Sequence, residues 1–270
     1  MVDKYLVLGN PIAQSKSPFI HNHFATQTSQ KMSYDKHLVA IGDFETFITT
    51  FQAEGGRGCN VTAPFKESAF KLSQHLSPRA KAAGAVNTLT FNDDGLIYGD
   101  NTDGQGLVED LLSHNVILTG QRLLIIGAGG AARGSILPLL AQNPASITIA
   151  NRTLHKAQLL ISEFNDERLS CCDLQSLSIR FDIIINSTSA SLSNELPNIA
   201  EDVIAQATCC YDMAYSAEPT CFIAWANNLG VKHTIDGLGM LIGQAAESFR
   251  VWRGVKPETK TLLSLMREQL

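Results

Sequence analysis

The chain has 270 residues, enough for two domains of ordinary size, and its 44% hydrophobic content is enough for full cores. Charged residues make up only 17% and the net charge is −5, so the composition gives no electrostatic footprint for nucleic acid or an anionic membrane. No apolar run approaches the roughly 18 residues of a membrane span, and the six cysteines lack metal-binding spacing, so we expect a soluble cytoplasmic protein with reduced thiols.

The first hundred residues alternate between short apolar strands and helices. A helix is expected to begin with Ser17 as its N-cap and Pro18 in its first turn. A second helix, capped by Asp43, should end at Gly55-Gly56. Asp93-Asp94-Gly95 predicts a hairpin turn. The strands predicted in this block are Tyr5–Leu8, Tyr34–Ala40, Gly58–Val61, Asn87–Phe91 and Leu96–Tyr98.

The rest of the chain has the pattern of a parallel α/β fold. A helix follows Asp103, and later strands alternate with helical stretches, which favours right-handed crossovers between parallel strands. A last helical region covers Leu238–Trp252 and then continues from Pro257. The strands predicted in this part are Arg122–Ile126, Ser146–Ala150, Asp182–Asn186, Thr208–Tyr211 and Lys232–Ile235.

A glycine-rich turn follows the strand Arg122–Ile126. Gly127-Ala128-Gly129-Gly130-Ala131-Ala132 fits the dinucleotide fingerprint G-x-G-x-x-A. The first glycine makes the tight turn, the second lets the backbone approach a pyrophosphate, and the small last residue lets the helix pack on the strand. The same turn without a ligand is the alternative interpretation.

The residues after the next strand indicate which dinucleotide is bound. An NAD-binding protein would place Asp or Glu there, about 20 residues after the glycines. Ser146–Ala150 is followed instead by Asn151-Arg152-Thr153. A guanidinium can grip a 2′-phosphate that a carboxylate would repel. The sequence therefore predicts NADP.

Two upstream motifs carry groups that could bind and transform a substrate. Ser15-Lys16-Ser17-Pro18 would place hydroxyls and backbone N–H groups at a helix N-terminus, where an anion is favoured. Lys66 and Asp103, if both lie in a cleft, form the pair expected to handle the hydroxyl proton of a dehydrogenase substrate. Lys66 could equally be a surface lysine, and Asp103 could serve only as a helix-start carboxylate.

Seven motifs together resemble the shikimate dehydrogenase family, in the family's order and spacing. They are Ser15–Pro18, Asn60–Lys66, Gly84–Thr88, Asn101–Asp103, Gly127–Ala132, Asn151–Thr153 and Asp236–Met240. The resemblance implies NADPH-dependent reduction of 3-dehydroshikimate to shikimate, on the way to chorismate and the aromatic amino acids. It also implies an α/β substrate domain at 1–102, a Rossmann-type doubly wound NADP-binding domain at 103–237, and C-terminal helices at 238–270 that pack back on the first domain.

The resemblance also assigns roles to individual residues. Lys66 and Asp103 would carry proton transfer, with protonated Lys66 donating to the developing alkoxide. The substrate would be bound by Ser15, Ser17, Thr62, Asn87, Asp103, Tyr215 and Gln244. The cofactor would be bound by Gly127, Ala128, Gly129, Gly130, Ala131, Asn151, Arg152, Thr153, Met213 and Gly237.

The sequence departs from the family pattern at two positions. Ser191 stands where the family usually has a glycine. If that glycine is needed for a positive φ or for close approach to the cofactor, Ser191 would loosen the wall around the cofactor in this protein. Pro78 stands where relatives often have an acidic residue near the cofactor. Neither change touches the proton-transfer pair, so we expect activity.

Three further predictions concern metal binding, the rival functions and the partner. The histidines are not spaced for metal binding, so no metal is predicted. The rival functions are a quinate/shikimate dehydrogenase of broader specificity and a non-catalytic NADP-sensing protein. The partner is a small molecule, and the protein could be a monomer or a homodimer.

Overall fold

The computed structural model describes residues 2–177 and 180–270. The protein forms two compact units, each of which takes up two separate stretches of sequence. The first unit contains residues 1–106 and 242–265, and the second contains residues 107–241 and 266–270. Each unit has its own six-stranded sheet.

The first unit is built on a mixed sheet. Its strands are β1 (Asp3–Gly9), β2 (Met32–Leu38), β3 (Gly56–Val61), β4 (His75–Leu76), β5 (Thr88–Phe91) and β6 (Ile97–Asp100), in the spatial order β2-β1-β3-β5-β6-β4. β1 is parallel to both β2 and β3, so the carboxyl ends of β1 and β3 meet at one edge, where Leu8 pairs with Val61. β5 runs antiparallel to β3 and forms the predicted hairpin with β6.

Helices cover this sheet and bury their apolar sides against it. The helices that lie in the first hundred residues are α1 (Ser17–Gln27), α2 (Phe44–Ala53), α3 (Lys66–Leu72) and α4 (Pro78–Ala83). Leu8, Ile48 and Leu89 are completely buried in the core between strands and helices. Such complete burial contributes roughly 1.5–3 kcal/mol for each large aliphatic residue.

The second unit has the strand order of a doubly wound dinucleotide-binding fold. Its strands are β7 (Arg122–Ile126), β8 (Ser146–Ala150), β9 (Leu169–Cys172), β10 (Ile183–Asn186), β11 (Cys209–Asp212) and β12 (His233–Asp236). All neighbouring pairs are parallel, and the spatial order is β12-β11-β10-β7-β8-β9. The order reverses between β7 and β10, which is the position where ligands of such sheets bind.

Apolar strands buried on both faces hold the second unit together. Leu123 and Ile125 of β7 point into one core and Leu124 and Ile126 into the other, so the strand reads as a continuous apolar run. The remaining helices are α5 (Asp103–Ser113), α6 (Gly130–Leu140), α7 (Leu154–Ser162), α8 (Glu201–Ala205), α9 (Cys221–Asn228), α10 (Leu238–Arg253) and α11 (Lys260–Arg267), with a 3₁₀ turn at Ala190–Ser193.

The α/β fold and the main strands are confirmed: β7 and β8 have the predicted ends, and the ends of the other predicted strands shift by at most two residues. The hairpin turn is confirmed as well, since Gly95 has a φ of +79°. The prediction that Ser17 caps the first helix is wrong. Ser17 is already helical, Lys16 occupies the cap position, and the Ser17 N–H donates to Ser15 Oγ at 3.3 Å. Sequence reasoning also missed the short elements α3, β4, α4 and β9.

Candidate active site and cofactor site

Lys66 and Asp103 form an ion pair in the first unit. Lys66 is the first residue of α3 and Asp103 the first residue of α5. Lys66 Nζ donates to Asp103 Oδ2 at 2.5 Å. The two residues have 34% and 23% of their side-chain surface exposed, so the pair is partly sheltered but still accessible to a ligand. The sequence could not show that these residues, 37 positions apart, are in contact.

Asn87 holds the other oxygen of the Asp103 carboxylate. Asn87 Nδ2 donates to Asp103 Oδ1 at 2.8 Å, and a longer contact of 3.4 Å reaches Gln244 Oε1. Asp103 therefore accepts an ammonium hydrogen on one oxygen and an amide hydrogen on the other. The structure thus brings together four of the predicted site residues: Lys66, Asp103, Asn87 and Gln244.

Local backbone hydrogen bonds explain why these groups meet. The Lys66 C=O accepts from Val86 N–H at 3.0 Å, which places the start of α3 against the segment that leads to Asn87. Val61 N–H donates to the Asn87 C=O at 2.8 Å. At the start of α5, Asn101 Oδ1 accepts from Asp103 N–H at 3.2 Å, so Asn101 satisfies a free N–H group of the first turn.

Thr62 and the two serines lie on segments that leave the sheet side by side. Thr62 N–H donates to the Leu8 C=O at 3.0 Å, and Asn10 N–H donates to the Ala63 C=O at 3.0 Å. Ser15 and Ser17 lie on the segment that follows β1, and both are half-buried. The Ser17 N–H donates to the Ser15 hydroxyl oxygen. No hydrogen bond joins either serine to Lys66 or Asp103 among the described residues. Tyr215 belongs to the second unit, and burial raises the pKa of its phenol.

The glycine-rich turn follows β7 in the second unit as predicted. Gly127 has a φ of +105°, and a Cβ atom there would lie 2.8 Å from Ser187 Oγ, so only glycine fits. Apart from the adjoining residues and the backbone of the helix itself, no atom lies within 4 Å of a Cβ atom built at Gly129 or Gly130. Both glycines are exposed at the start of α6, where N–H groups and the helix dipole favour an anion.

A cavity of about 670 Å³ extends from this turn across the ends of β8 and β9. Gly127, Asn151 and Arg152 line it, together with Asp173, Gln175, Thr188 and neighbours on the later loops. Arg152 is exposed and has no ion pair or hydrogen bond with a described residue. Its guanidinium is thus available to an anion, and the open space over the glycines suits a pyrophosphate. The residues present therefore fit NADP.

Other predicted cofactor residues lie at the ends of neighbouring strands. Thr153 caps α7 by position, and Ala128 and Ala131 flank the exposed glycines. Met213 directly follows β11 and Gly237 directly follows β12. Gly237 N–H donates to the Ala214 C=O at 3.0 Å, and a Cβ atom at Gly237 would lie 2.1 Å from the Met213 carbonyl oxygen. These two strand ends therefore touch backbone to backbone.

Ser191 has a role that sequence reasoning did not foresee. Its backbone does not have a positive φ, so the conformation that would require glycine is not adopted there. Its hydroxyl donates to Oδ2 of the fully buried Asp212 at 2.6 Å, and Thr220 Oγ1 donates to the same oxygen at 2.6 Å. Burial raises the pKa of Asp212, while these donors and the Ala214 N–H oppose the rise. Ser191 thus stabilises the carboxylate directly before Met213.

Pro78 contributes to local structure in the first unit. It is in the first turn of α4, which Ser77 caps by accepting from Ala80 N–H at 3.1 Å. The adjacent Arg79 forms ion pairs with Asp100 and Glu247, and those carboxylates raise the pKa of its guanidinium against the opposing effect of burial.

Sequence reasoning also missed Asp173 and Gln175 in the wall of the cavity. Both follow β9, a short strand that was not predicted. The available signal was the four-residue run Leu169–Cys172 directly before Asp173. Among residues 2–177 and 180–270, no cluster of three or more His, Cys, Asp or Glu could hold a metal ion. No helix in the same ranges is long and apolar enough to cross a bilayer.

Three family models match the sequence. The shikimate dehydrogenase substrate binding domain matches residues 7–89, the shikimate/quinate 5-dehydrogenase model matches residues 110–209, and the shikimate 5′-dehydrogenase C-terminal domain matches residues 237–270. The matched residues include Lys66, Asn87, the glycine-rich turn and Gln244.

Similar proteins align over nearly the full length. The NADP-dependent shikimate dehydrogenase of Photobacterium profundum is 56% identical over 100% of this sequence and 99% of its own. The structure of an Ael1 enzyme from Pseudomonas putida is 42% identical, with a TM-score of 0.95 over 97% of both proteins. Shikimate 5-dehydrogenase from Thermus thermophilus, crystallised with NADP(H) and shikimate, is 28% identical, with a TM-score of 0.87 over 100% of both proteins. The chain belongs to the shikimate dehydrogenase family.

Proposed function

We propose that this protein catalyses the reversible, NADPH-dependent reduction of 3-dehydroshikimate to shikimate, a step toward chorismate and the aromatic amino acids. The observation that carries the proposal is the 2.5 Å contact between Lys66 Nζ and Asp103 Oδ2, partly accessible and held by Asn87. A curated relative with 56% identity is named for the same activity with NADP.

The residues of the candidate active site have separate roles in proton transfer and substrate binding. Protonated Lys66 donates a proton from Nζ to the substrate oxygen during reduction and accepts it in the reverse direction. Asp103 orients the ammonium group, and Asn87 and Gln244 bind ring hydroxyls beside it. Thr62 contacts a further hydroxyl, Ser15 and Ser17 hold the carboxylate, and Tyr215 completes the substrate site. The nicotinamide, when bound, supplies the hydride for the ketone carbon.

The cofactor is held by residues of the second unit. The N–H groups of Gly127–Ala131 bind the pyrophosphate, and Asn151, Arg152 and Thr153 bind the 2′-phosphate. Met213 and Gly237 border the nicotinamide.

We further propose that the first domain covers residues 1–102 and the second covers residues 103–237, and that residues 238–270 return to the first domain. We also propose that the protein is cytoplasmic and is a monomer or a homodimer. Sedimentation velocity distinguishes the two assembly states.

Lys66→Met tests the proton-transfer role. The variant retains an unbranched residue of similar length without the ammonium, so kcat for shikimate oxidation should fall by roughly a hundredfold or more. The dissociation constant for NADPH, measured by nucleotide fluorescence, should stay within about twofold. Lys71→Met, in the last turn of the same helix, is the matched control. A near-normal kcat in Lys66→Met contradicts the assignment.

Arg152→Ala tests the cofactor preference. The wild-type protein should use NADPH at least about tenfold better than NADH in kcat/KM, because a guanidinium–phosphate contact contributes ~1.5–3 kcal/mol. The variant should lose this preference through a higher KM for NADPH and keep its KM for NADH. Equal use of both coenzymes by the wild type would refute the phosphate role.

Quinate separates this function from its nearest rival. One of the matching family models covers both shikimate and quinate dehydrogenases. We expect oxidation of shikimate with NADP and little oxidation of quinate. Comparable kcat/KM values for the two would establish the broader enzyme, and binding of NADPH without turnover of either would establish the sensing protein.

A further inference from the structure

Three buried hydroxyl groups lie close to the Asn87 amide. They belong to Thr88 on β5, Thr102 directly before α5, and Ser248 on α10, and all three residues are completely buried. The Thr88 and Ser248 oxygens are 2.7 Å apart, and the Thr102 and Ser248 oxygens are 3.1 Å apart. We call Thr88, Thr102 and Ser248 the hydroxyl cluster. The catalytic roles assigned above do not use it.

A backbone group of Thr102 fixes which way the Asn87 amide faces. The Thr102 N–H can only donate, and it lies 3.0 Å from Asn87 Oδ1. The oxygen must therefore face Thr102, and Nδ2 must face Asp103. The Thr88 hydroxyl donates to the same Asn87 oxygen at 2.8 Å. Both contacts favour the one amide orientation that gives Asp103 its donor.

Ser248 is the residue that joins the other members of the cluster. Its hydroxyl contacts Thr88 at 2.7 Å and Thr102 at 3.1 Å, and either oxygen can be the donor in each contact. The Ser248 hydroxyl can also donate to the Gln244 backbone carbonyl oxygen at 3.0 Å. It accepts from Asn60 Nδ2 at 3.0 Å. Ser248 therefore joins the two threonine hydroxyls to each other and to the Asn60 amide.

Asn60 is itself held in one orientation. Its Nδ2 donates to the backbone carbonyl oxygen of Asn87 at 3.1 Å, a group that can only accept. Its Oδ1 accepts from the Tyr34 hydroxyl at 2.6 Å. The buried groups that surround Asn87 are consequently all partnered, and a network of this kind holds one arrangement more firmly than its separate contacts would.

We propose that the hydroxyl cluster positions Asn87, and through it Asp103, with Ser248 as its central member. The inference rests on the proposed function, in which Lys66 transfers the proton and Asp103 orients its ammonium group. Thr88 and Ser248 are positioning residues, because they act on the reaction only through the Asn87 amide. Removal of either hydroxyl takes away part of the packing and hydrogen bonding that holds the Asn87 amide beside Asp103, and so weakens the contact between Asn87 Nδ2 and the Asp103 carboxylate.

The test compares Thr88→Val with Thr88→Ser in the full-length protein. Valine keeps the shape of threonine without the hydroxyl, whereas serine keeps the hydroxyl. We expect kcat for shikimate oxidation to fall roughly tenfold or more in Thr88→Val and to stay within about threefold of wild type in Thr88→Ser. The pH profile of kcat should change shape only in the valine variant, and the KM for NADP should stay within about twofold.

Two further variants complete the test. Thr90→Val removes a half-buried hydroxyl from the same strand, outside the cluster, and should leave kcat and its pH profile unchanged. Ser248→Ala should reproduce the Thr88→Val phenotype, and it decides the question if Thr88→Val does not fold. Folded Thr88→Val and Ser248→Ala proteins with kcat within about twofold of wild type overturn the positioning role. A wild-type protein that oxidises no shikimate overturns the proposed function, and this inference with it.

Discussion

A buried histidine in the first unit makes the free energy of unfolding depend on pH. His21 of α1 is completely buried, and neither ring nitrogen has a hydrogen-bond partner among the described residues. Its ring stacks on Tyr34 with centroids 4.1 Å apart, and Phe24, Phe249 and Trp252 surround it. Burial lowers the pKa of His21 to about 3, and the neighbouring Asn60 side chain opposes this shift.

The direction of the effect follows from proton binding in the two states. In the unfolded protein the imidazole titrates near its ordinary pKa of about 6.5. Between that value and about 3 the unfolded state binds a proton that the native state excludes, so the free energy of unfolding falls as the pH is lowered. From pH 8 to pH 5 the loss due to this one residue is about 2 kcal/mol.

His21→Phe isolates this contribution from all other titrations. Phenylalanine suits the aromatic surroundings and has no proton to exchange. Urea unfolding of both proteins at pH 8 and pH 5 gives a stability difference, variant minus wild type, at each pH. We expect that difference to rise by about 2 kcal/mol in favour of the variant between pH 8 and pH 5, because only the wild type is destabilised by protonation of the unfolded imidazole.

A difference in the free energy of unfolding that is the same at both pH values would reflect packing alone. His155→Gln, at an exposed position of α7, is the control for the removal of a histidine. If the His21→Phe difference does not change between pH 8 and pH 5, the imidazole is hydrated or partnered in the native state, and the reasoning from burial is refuted.

Two further predictions concern the second unit. Gly237→Ala should raise the dissociation constant of NADPH at least about tenfold in a fluorescence titration. The added Cβ would lie 2.1 Å from the Met213 carbonyl oxygen, so it must displace a strand end beside the cofactor. Unchanged affinity would show that this strand end does not border the nicotinamide. Ser191→Ala should lower the free energy of unfolding by ~1–3 kcal/mol, since it removes a donor from the buried Asp212 carboxylate. The exposed Ser193→Ala is the control, and equal stability of the two variants would contradict the role of that hydrogen bond.

The parts of the fold that the sequence predicted are those that local patterns determine. The glycine turn is recognised because a φ of +105° at Gly127 demands glycine there and complete burial at Ala132 demands a small residue, both within one short stretch of sequence. The parallel sheet is recognised because strands buried on both faces are continuously apolar. Short elements such as β9 escaped because four residues carry too little periodicity to distinguish a strand from a loop. Asp173 and Gln175 of the cavity wall were missed with it.

The orientation of the polar groups in the candidate site depends on contacts between residues far apart in the sequence, which local patterns do not contain. Lys66 and Asp103 could be named as a pair, but the Asn87 amide that holds Asp103 takes its direction from the Thr102 backbone 15 residues later. Ser248, which completes that arrangement, is 160 residues from Thr88. A serine in the middle of a helix carries no sequence signal for such a role. What distinguishes it is complete burial beside two threonine hydroxyls, and burial is a property that only the folded protein has.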